Sequence, residues 1–222
     1  MQTMVNSSQV ISRWRWVVPS MLVLVVLGYL VFDHLIKDRI LPKRWGEVES
    51  GLVYRSGQIH PALVASTLQE NRIGKIIDLQ YWEEKPGLLA ERDAAVALQI
   101  EIERFPLNGN GTGDVQHYVQ AILALHQART EGVPVLVHCS AGSQRTGGVL
   151  AAYRTLALGV SADDAVAEME SYDWNPAKDQ ILLDYLNQHI AHIAEQLVLG
   201  GVIRQVPTPV PYFINPQDLS AD

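Results

Sequence analysis

The chain nearly lacks cysteine: Cys139 is the only one in 222 residues. An intrachain disulfide is therefore impossible, and a Cys-rich zinc site is excluded. Basic residues are also scarce. Lys and Arg number 17 against 24 Asp and Glu, giving a net charge of −7. A general nucleic-acid binder must neutralise many phosphates with Lys and Arg, so no nucleic-acid partner is expected. The histidines show no clear metal-ligand spacing. His189, His192 and Glu195 recur at intervals of three and read as a solvated helix face rather than a metal site. No metal and no cofactor are expected. The low charged content of a globular chain (18%, against 48% hydrophobic) argues against disorder over most of the length.

One long apolar run is present. Val17 to Phe32 reads VVPSMLVLVVLGYLVF and carries no charge. Trp14 and Trp16 flank it, as at a lipid–water interface. Trp14 to Phe32 spans 19 positions, near the roughly 20 that a crossing helix needs. Pro19 falls in its first turn, where a missing N–H is tolerated. A cleaved signal peptide is the rival reading, but DHLIKDRILPKRW, which follows, offers no small-residue cleavage site. The expectation is an N-terminal tail over 1–13 and a transmembrane anchor over 14–36, hence a single-pass membrane protein. Arg13 and Arg15 precede the run; Lys37, Arg39, Lys43 and Arg44 follow it, diluted by Asp33 and Asp38. That balance leaves undecided on which side of the membrane the domain after the run would lie.

From Trp45 the pattern becomes that of a soluble domain, expected over 45–199. Strands are expected at 51–58, 74–80, 100–107 and 133–138. Helices are expected at 61–71, 88–99, 114–130, from 149 to 157, over SADDAVAEME after a Ser161–Asp164 capping box, and from Asn175 to about Leu199. Alternation of strands and helices implies an α/β fold: a mostly parallel central sheet flanked by helices. Residues 200–222 carry four prolines and read as an extended or disordered tail.

The stretch Val137-His138-Cys139-Ser140-Ala141-Gly142-Ser143-Gln144-Arg145-Thr146-Gly147 joins an apolar strand to a helix. Such a loop can curl until its backbone N–H groups point at one centre, where they and the helix dipole bind a tetrahedral anion. Gly142 can supply the unusual backbone angle of that curl. Arg145 offers a planar fork that matches two phosphate oxygens. The same positive surroundings lower a thiol below its usual value of about 8.5, which makes Cys139 a nucleophile. Thr146 can donate to the sulfur and improve it as a leaving group, and His138 can hold the loop by hydrogen bonding. The candidate phosphate-binding residues are Ser140, Ala141, Gly142, Ser143, Gln144 and Arg145.

His-Cys-x-x-Gly-x-x-Arg-Thr resembles the signature of the protein tyrosine and dual-specificity phosphatase superfamily, over about Val48 to Leu186. Val53-Tyr54-Arg55-Ser56-Gly57-Gln58 is similar to a motif of the small atypical dual-specificity phosphatases and makes Arg55 a candidate for lining the substrate pocket, the alternative being a surface or structural arginine. The resemblance implies a metal-free, two-step hydrolysis of phosphate monoesters through a cysteinyl-phosphate. It also implies an aspartate acid about thirty residues before the cysteine, where Leu107, Asn108 and Gly109 stand instead. The nearest carboxylate is Asp114, 25 residues before Cys139. It reads either as the acid or as a helix N-cap; Asp78 and Asp173 are the reserves. The uncharged loop positions favour a partner with one phosphate monoester, such as a phosphorylated protein or a small ester. A lipid or inositol phosphate, or a phosphate-binding module of low activity, is the alternative.

Overall fold

A computed structural model describes residues 7–32 and 37–219, and two units emerge, 1–41 and 42–222. In the first, α1 covers Ser7–Val31 with Pro19 inside it, and α2 is a single turn, Lys37–Ile40. Side chains from Met21 to Leu27 and from Tyr29 to Phe32 are 42–68% exposed. Among the described residues no helix is long and apolar enough to cross a membrane. The expected span at 14–36 lies partly outside those residues, at 33–36, and so is not part of the established architecture.

The second unit is built on a five-stranded sheet ordered β1-β2-β5-β3-β4. The strands are β1 Gly46–Glu49, β2 Val53–Ser56, β3 Lys75–Asp78, β4 Glu101–Arg104 and β5 Val135–His138. Every pairing is parallel except β1 with β2. The helices are α3 Pro61–Glu70, α4 Pro86–Leu98, α5 Val115–Thr130, α6 Gln144–Ala157, α7 Ala162–Ser171 and α8 Gln180–Leu199, with a last turn α9 at Pro216–Leu219. The expected mostly parallel α/β sheet is thus observed. Strand β1 and the single turns α2 and α9 are not expected from the sequence, and α6 begins at Gln144 rather than 149. The last helix begins at Gln180 rather than Asn175, because residues 175–179 form a turn closed by Lys178 and Asp179 N–H groups on the Asn175 carbonyl.

Side chains alternate across a strand, and the alternation sorts the core. Val53, Ile77, Val135 and Val137 face α5, α6, α7 and α8, whereas Tyr54, Ile76 and Leu136 face α3 and α4. By the same parity His138 and Asp78 fall on the α4 side. Strand β5 lies between β2 and β3, with His138 paired to Ser56 on one flank and to Asp78 on the other. The loop after His138 therefore leaves the middle of the sheet at the carboxyl ends of its strands, where open α/β sheets bind ligands.

The tail differs from the expectation of an extended or disordered end. Phe213 is 1% exposed and lies in the main core. The Asn187 amide on α8 accepts from the Phe213 N–H at 2.8 Å and donates to the Phe213 carbonyl at 2.9 Å. One buried aromatic and a two-way amide clamp hold the Pro-rich segment ahead of α9.

Candidate active site

Cys139 ends the β5 turn-out and is 1% exposed. The Gly142 N–H donates to its Sγ at 3.1 Å. Burial alone would push the thiol up. The Arg145 charge, the Thr146 hydroxyl and the Gly142 and Thr146 N–H groups outweigh it and bring the thiol below its ordinary value. A thiolate nucleophile is the form this setting favours.

The loop curls because Gly142 adopts φ +84°. A Cβ at Gly142 would come within 2.5 Å of the Gly57 nitrogen and 2.7 Å of the Ser56 carbonyl carbon, so only glycine fits this close approach. Ser143 is the N-cap position of α6 and is buried, and Gln144 opens the helix, its amide donating to Asp179 at 3.1 Å. Arg145 donates through Nη1 to the Leu79 carbonyl at 3.3 Å and through Nη2 to the Ser140 hydroxyl at 2.5 Å. The guanidinium thus bridges Ser140 in the loop and Leu79, the residue after β3. Residues 139–143 form the loop, and residues 144–146 are the first turn of α6.

Arg55 is placed differently. A candidate for lining the substrate pocket, with a surface or structural arginine as the alternative, it is 1% exposed and committed to the loop's own support. Its Nη2 donates to the Gly142 carbonyl at 3.0 Å, and its Nη1 to Glu168 at 3.0 Å. Its guanidinium carbon stacks 3.6 Å from the Tyr172 ring centroid. Burial lowers its pKa to about 10, so it stays charged at neutral pH. The rest of the Ser56-Gly57-Gln58 turn also braces the loop: the Gln58 N–H donates to the Ser140 carbonyl at 3.1 Å. A third brace is Arg44, which donates to the Ala141 carbonyl at 2.8 Å and to Asp173 at 2.7 Å. Sequence reading missed Arg44, and nothing in its local sequence signals the role.

The carboxylates separate by environment. Asp78 is fully buried and engaged by Arg104 Nε at 2.8 Å and the Gln80 N–H at 2.9 Å. Asp173 is tied to Arg44. Asp114 is exposed, and its Oδ1 caps α5 by accepting from the Gln116 N–H at 2.9 Å. Among the described residues it makes no hydrogen bond to the phosphate loop. Its own loop does reach that loop's helix, since a Cβ at Gly111 would lie 3.4 Å from the Gln144 carbonyl carbon.

Behind Cys139, His138 Nε2 lies 3.2 Å from Glu91 and 3.8 Å from Asp78. Donor atoms of these three lie within 4.8 Å of one another. Arg104, the Gln80 N–H and Gln58 already engage the carboxylates, which makes the group an ion-pair cluster rather than a ligand set.

An open, mostly parallel sheet that delivers a depressed thiol into an anion-cradling loop is the arrangement of a cysteine-dependent phosphatase. Residues 41–199 match the family model described as the tyrosine phosphatase family; the chain belongs to that family and is a phosphatase. Among solved structures it is similar to TpbA of P. aeruginosa, with 20% identity over 70% of this chain and 91% of that one, at a TM-score of 0.57. It is also similar to the core catalytic domain of the PP-IP phosphatase SIW14 of S. cerevisiae (16% identity, 77% and 98% coverage, TM-score 0.57). A third likeness is to PTPMT1 (15% identity, 68% and 99% coverage, TM-score 0.54). At these identities the likenesses show the fold. No curated protein sequence matches the chain.

Proposed function

We propose that the chain hydrolyses phosphate monoesters of the phosphotyrosine or dual-specificity type through a cysteinyl-phosphate on Cys139. The observation that carries this reading is the seat of the sulfur: buried, held by the Gly142 N–H, and depressed by Arg145. In the first step the thiolate attacks phosphorus, the S–P bond forms, the ester P–O bond breaks, and the leaving oxygen takes a proton. Arg145 and the loop N–H groups hold the phosphoryl oxygens throughout. In the second step water attacks the cysteinyl-phosphate and gives a proton to the carboxylate that protonated the leaving oxygen, the P–O bond forms, the S–P bond breaks, and inorganic phosphate leaves with return of the thiolate, which the Thr146 hydroxyl stabilises. Substrates with a single phosphate fit best, because Ser140, Ala141, Ser143 and Gln144 add no charge to the loop. The likeness to a PP-IP phosphatase keeps inositol phosphates as the second reading. A phosphate-release screen with phosphotyrosine peptides, inositol phosphates and phospholipids decides between them. Fastest release from inositol phosphates would replace the first reading.

Asp114 is the leaving-group acid in this proposal. It is exposed, its Oδ1 accepts from the α5 cap N–H of Gln116, and its loop reaches the start of α6 at Gln144, whereas Asp78 is buried in an ion pair with Arg104 and the exposed Asp173 is held by Arg44. Asp114→Asn keeps the cap, since Asn and Asp cap almost equally. It should slow alkyl phosphates about 10²–10⁴-fold and nitrophenyl phosphate far less. Equal, near-wild-type rates on both substrates remove Asp114 from the mechanism.

For localisation the proposal is a membrane anchor in the N-terminal unit, on the strength of the uncharged, exposed run from Met21 to Leu27 and Tyr29 to Phe32.

A further inference from the structure

His138 is sealed from solvent between carboxylates supplied by two other elements. Strand β5 points it to the α4 side of the sheet, where Glu91 stands on α4 and Asp78 ends β3. His138 and Asp78 are 0% exposed and Glu91 is 1% exposed. The surrounding groups can be counted element by element. From β4, Arg104 donates to Asp78 Oδ2. After β3, the Gln80 N–H donates to Asp78 Oδ1, and the Gln80 amide donates to Gln58. After β2, the Gln58 amide donates to Glu91 Oε2 at 3.2 Å, and Ser56 is the uncharged strand neighbour of His138. On its own strand end, Cys139 follows. Two carboxylates against one guanidinium leave one negative charge, and an uncompensated buried charge is costly. A proton on His138 closes that balance.

We propose that Glu91 is a positioning residue for the phosphatase reaction: its carboxylate keeps His138 an imidazolium, and that cation fixes the chain where β5 becomes the phosphate loop beneath Cys139. The inference rests on the reading that Cys139 is the nucleophile. Burial by itself would strip the proton from His138. Glu91 first, then Asp78, with a smaller pull from Cys139, outweigh it and raise the imidazole to about 9. Glu91 reaches the Cys139 loop by two routes, through His138 and through Gln58, whose amide donates to Glu91 and whose N–H donates to the Ser140 carbonyl; a dependence on the His138 charge is what separates this role from the Gln58 route and from plain packing of α4 against the sheet.

The test uses the full chain in detergent micelles with labelled histidine, His138 being assigned by the missing signal of His138→Asn. In the wild type His138 should stay protonated past about pH 8, well above the ordinary value of about 6.5. In Glu91→Gln its midpoint should fall by about one pH unit or more. With nitrophenyl phosphate, the loss of kcat/KM in Glu91→Gln should be several-fold greater near pH 8 than near pH 6. Glu91→Asp, which keeps the charge, should restore much of the loss near pH 8. In a His138→Asn background, Glu91→Gln should add less than about twofold, because residues acting as one unit are not additive. A wild-type His138 that titrates near 6.5 overturns the inference even if every Glu91 variant fails to fold. A loss equal at both pH values, or one that persists in the His138→Asn background, overturns it too. Turnover by Cys139→Ser near the wild-type rate would instead remove the catalytic reading, and would leave the histidine titration unchanged.

Discussion

Two contacts from one side chain define what Arg145 can do that another cation cannot. Its fork reaches the Leu79 carbonyl and the Ser140 hydroxyl together, and the same fork is the right shape for two phosphoryl oxygens. Arg145→Lys keeps the charge but offers a point donor. It should lower kcat/KM by about 10²–10³-fold, as for loss of a preorganised transition-state donor, with little change in melting temperature. Activity within twofold of wild type would deny the role. His138 makes a prediction of stability at the same scale. Its folded value of about 9 exceeds the unfolded value of about 6.5, so between the two the folded chain holds a proton the unfolded chain lacks. The stabilisation is complete below about pH 6.5 and is lost as the pH rises towards about 9. The melting-temperature advantage of wild type over His138→Asn should therefore shrink across that window; an advantage that grew with pH would contradict the ion-pair assignment. Cys139, Arg145 and Thr146 were legible in sequence because they act within one loop, where spacing along the chain is spacing in space. Arg55 and Glu91 were not. Arg55 meets its partners 87 and 113 residues away, and Glu91 meets His138 across a helix–sheet interface, so their roles exist only once the sheet is assembled.

At the scale of elements, the turn after β2 is a buttress for the phosphate loop. Its motif was visible in the sequence, but spacing could not say whether Arg55 faces a substrate or the back of the loop. The strand order decides it: β2 lies beside β5, which puts residues 55–58 against residues 140–142. Removing Arg55 leaves the Gly142 carbonyl without its donor and Glu168 with only Arg154. Arg55→Met should cost about 3 kcal/mol, the low end for breaking a buried pair, read from urea unfolding. Gly57→Ala is the finer probe, because its Cβ would stand 2.6 Å from the Ala141 carbonyl oxygen. It should weaken vanadate binding several-fold while the fold survives; unchanged vanadate affinity would show that the turn does not brace the loop. The long helices were readable from periodicity and caps: Ser161 accepts from the Asp164 N–H as the capping box implies. Strand β1 was not readable. Its four residues, GEVE, carry one apolar side chain, Val48, which packs against the main core, and are otherwise held by pairing with β2 and by the Glu49–Arg129 ion pair; one apolar residue makes no alternation that a sequence could show.

For the whole molecule, the sheet, its helices and the clamped tail form one unit from residue 42 onward, separate from the N-terminal helices. A chain starting at Pro42 should keep the wild-type kcat/KM on nitrophenyl phosphate within about twofold, since each domain carries its own core. The full chain, but not this fragment, should sediment with membranes and resist a carbonate wash. Recovery of the full chain in the soluble fraction would remove the anchor. Alternation of strands and helices made the α/β class legible, whereas the central place of β5 and the docking of Phe213 were not, because neither follows from local pattern. The proposed reaction is covalent, with phosphate passing through Cys139. Its most direct measurement is mass spectrometry of the chain quenched in acid during turnover of nitrophenyl phosphate. The account predicts phosphate on the Cys139 peptide in the wild type and none in Cys139→Ser, which binds vanadate but does not turn over. Sustained turnover with no phosphate ever found on Cys139, or a serine variant working near the wild-type rate, would contradict it.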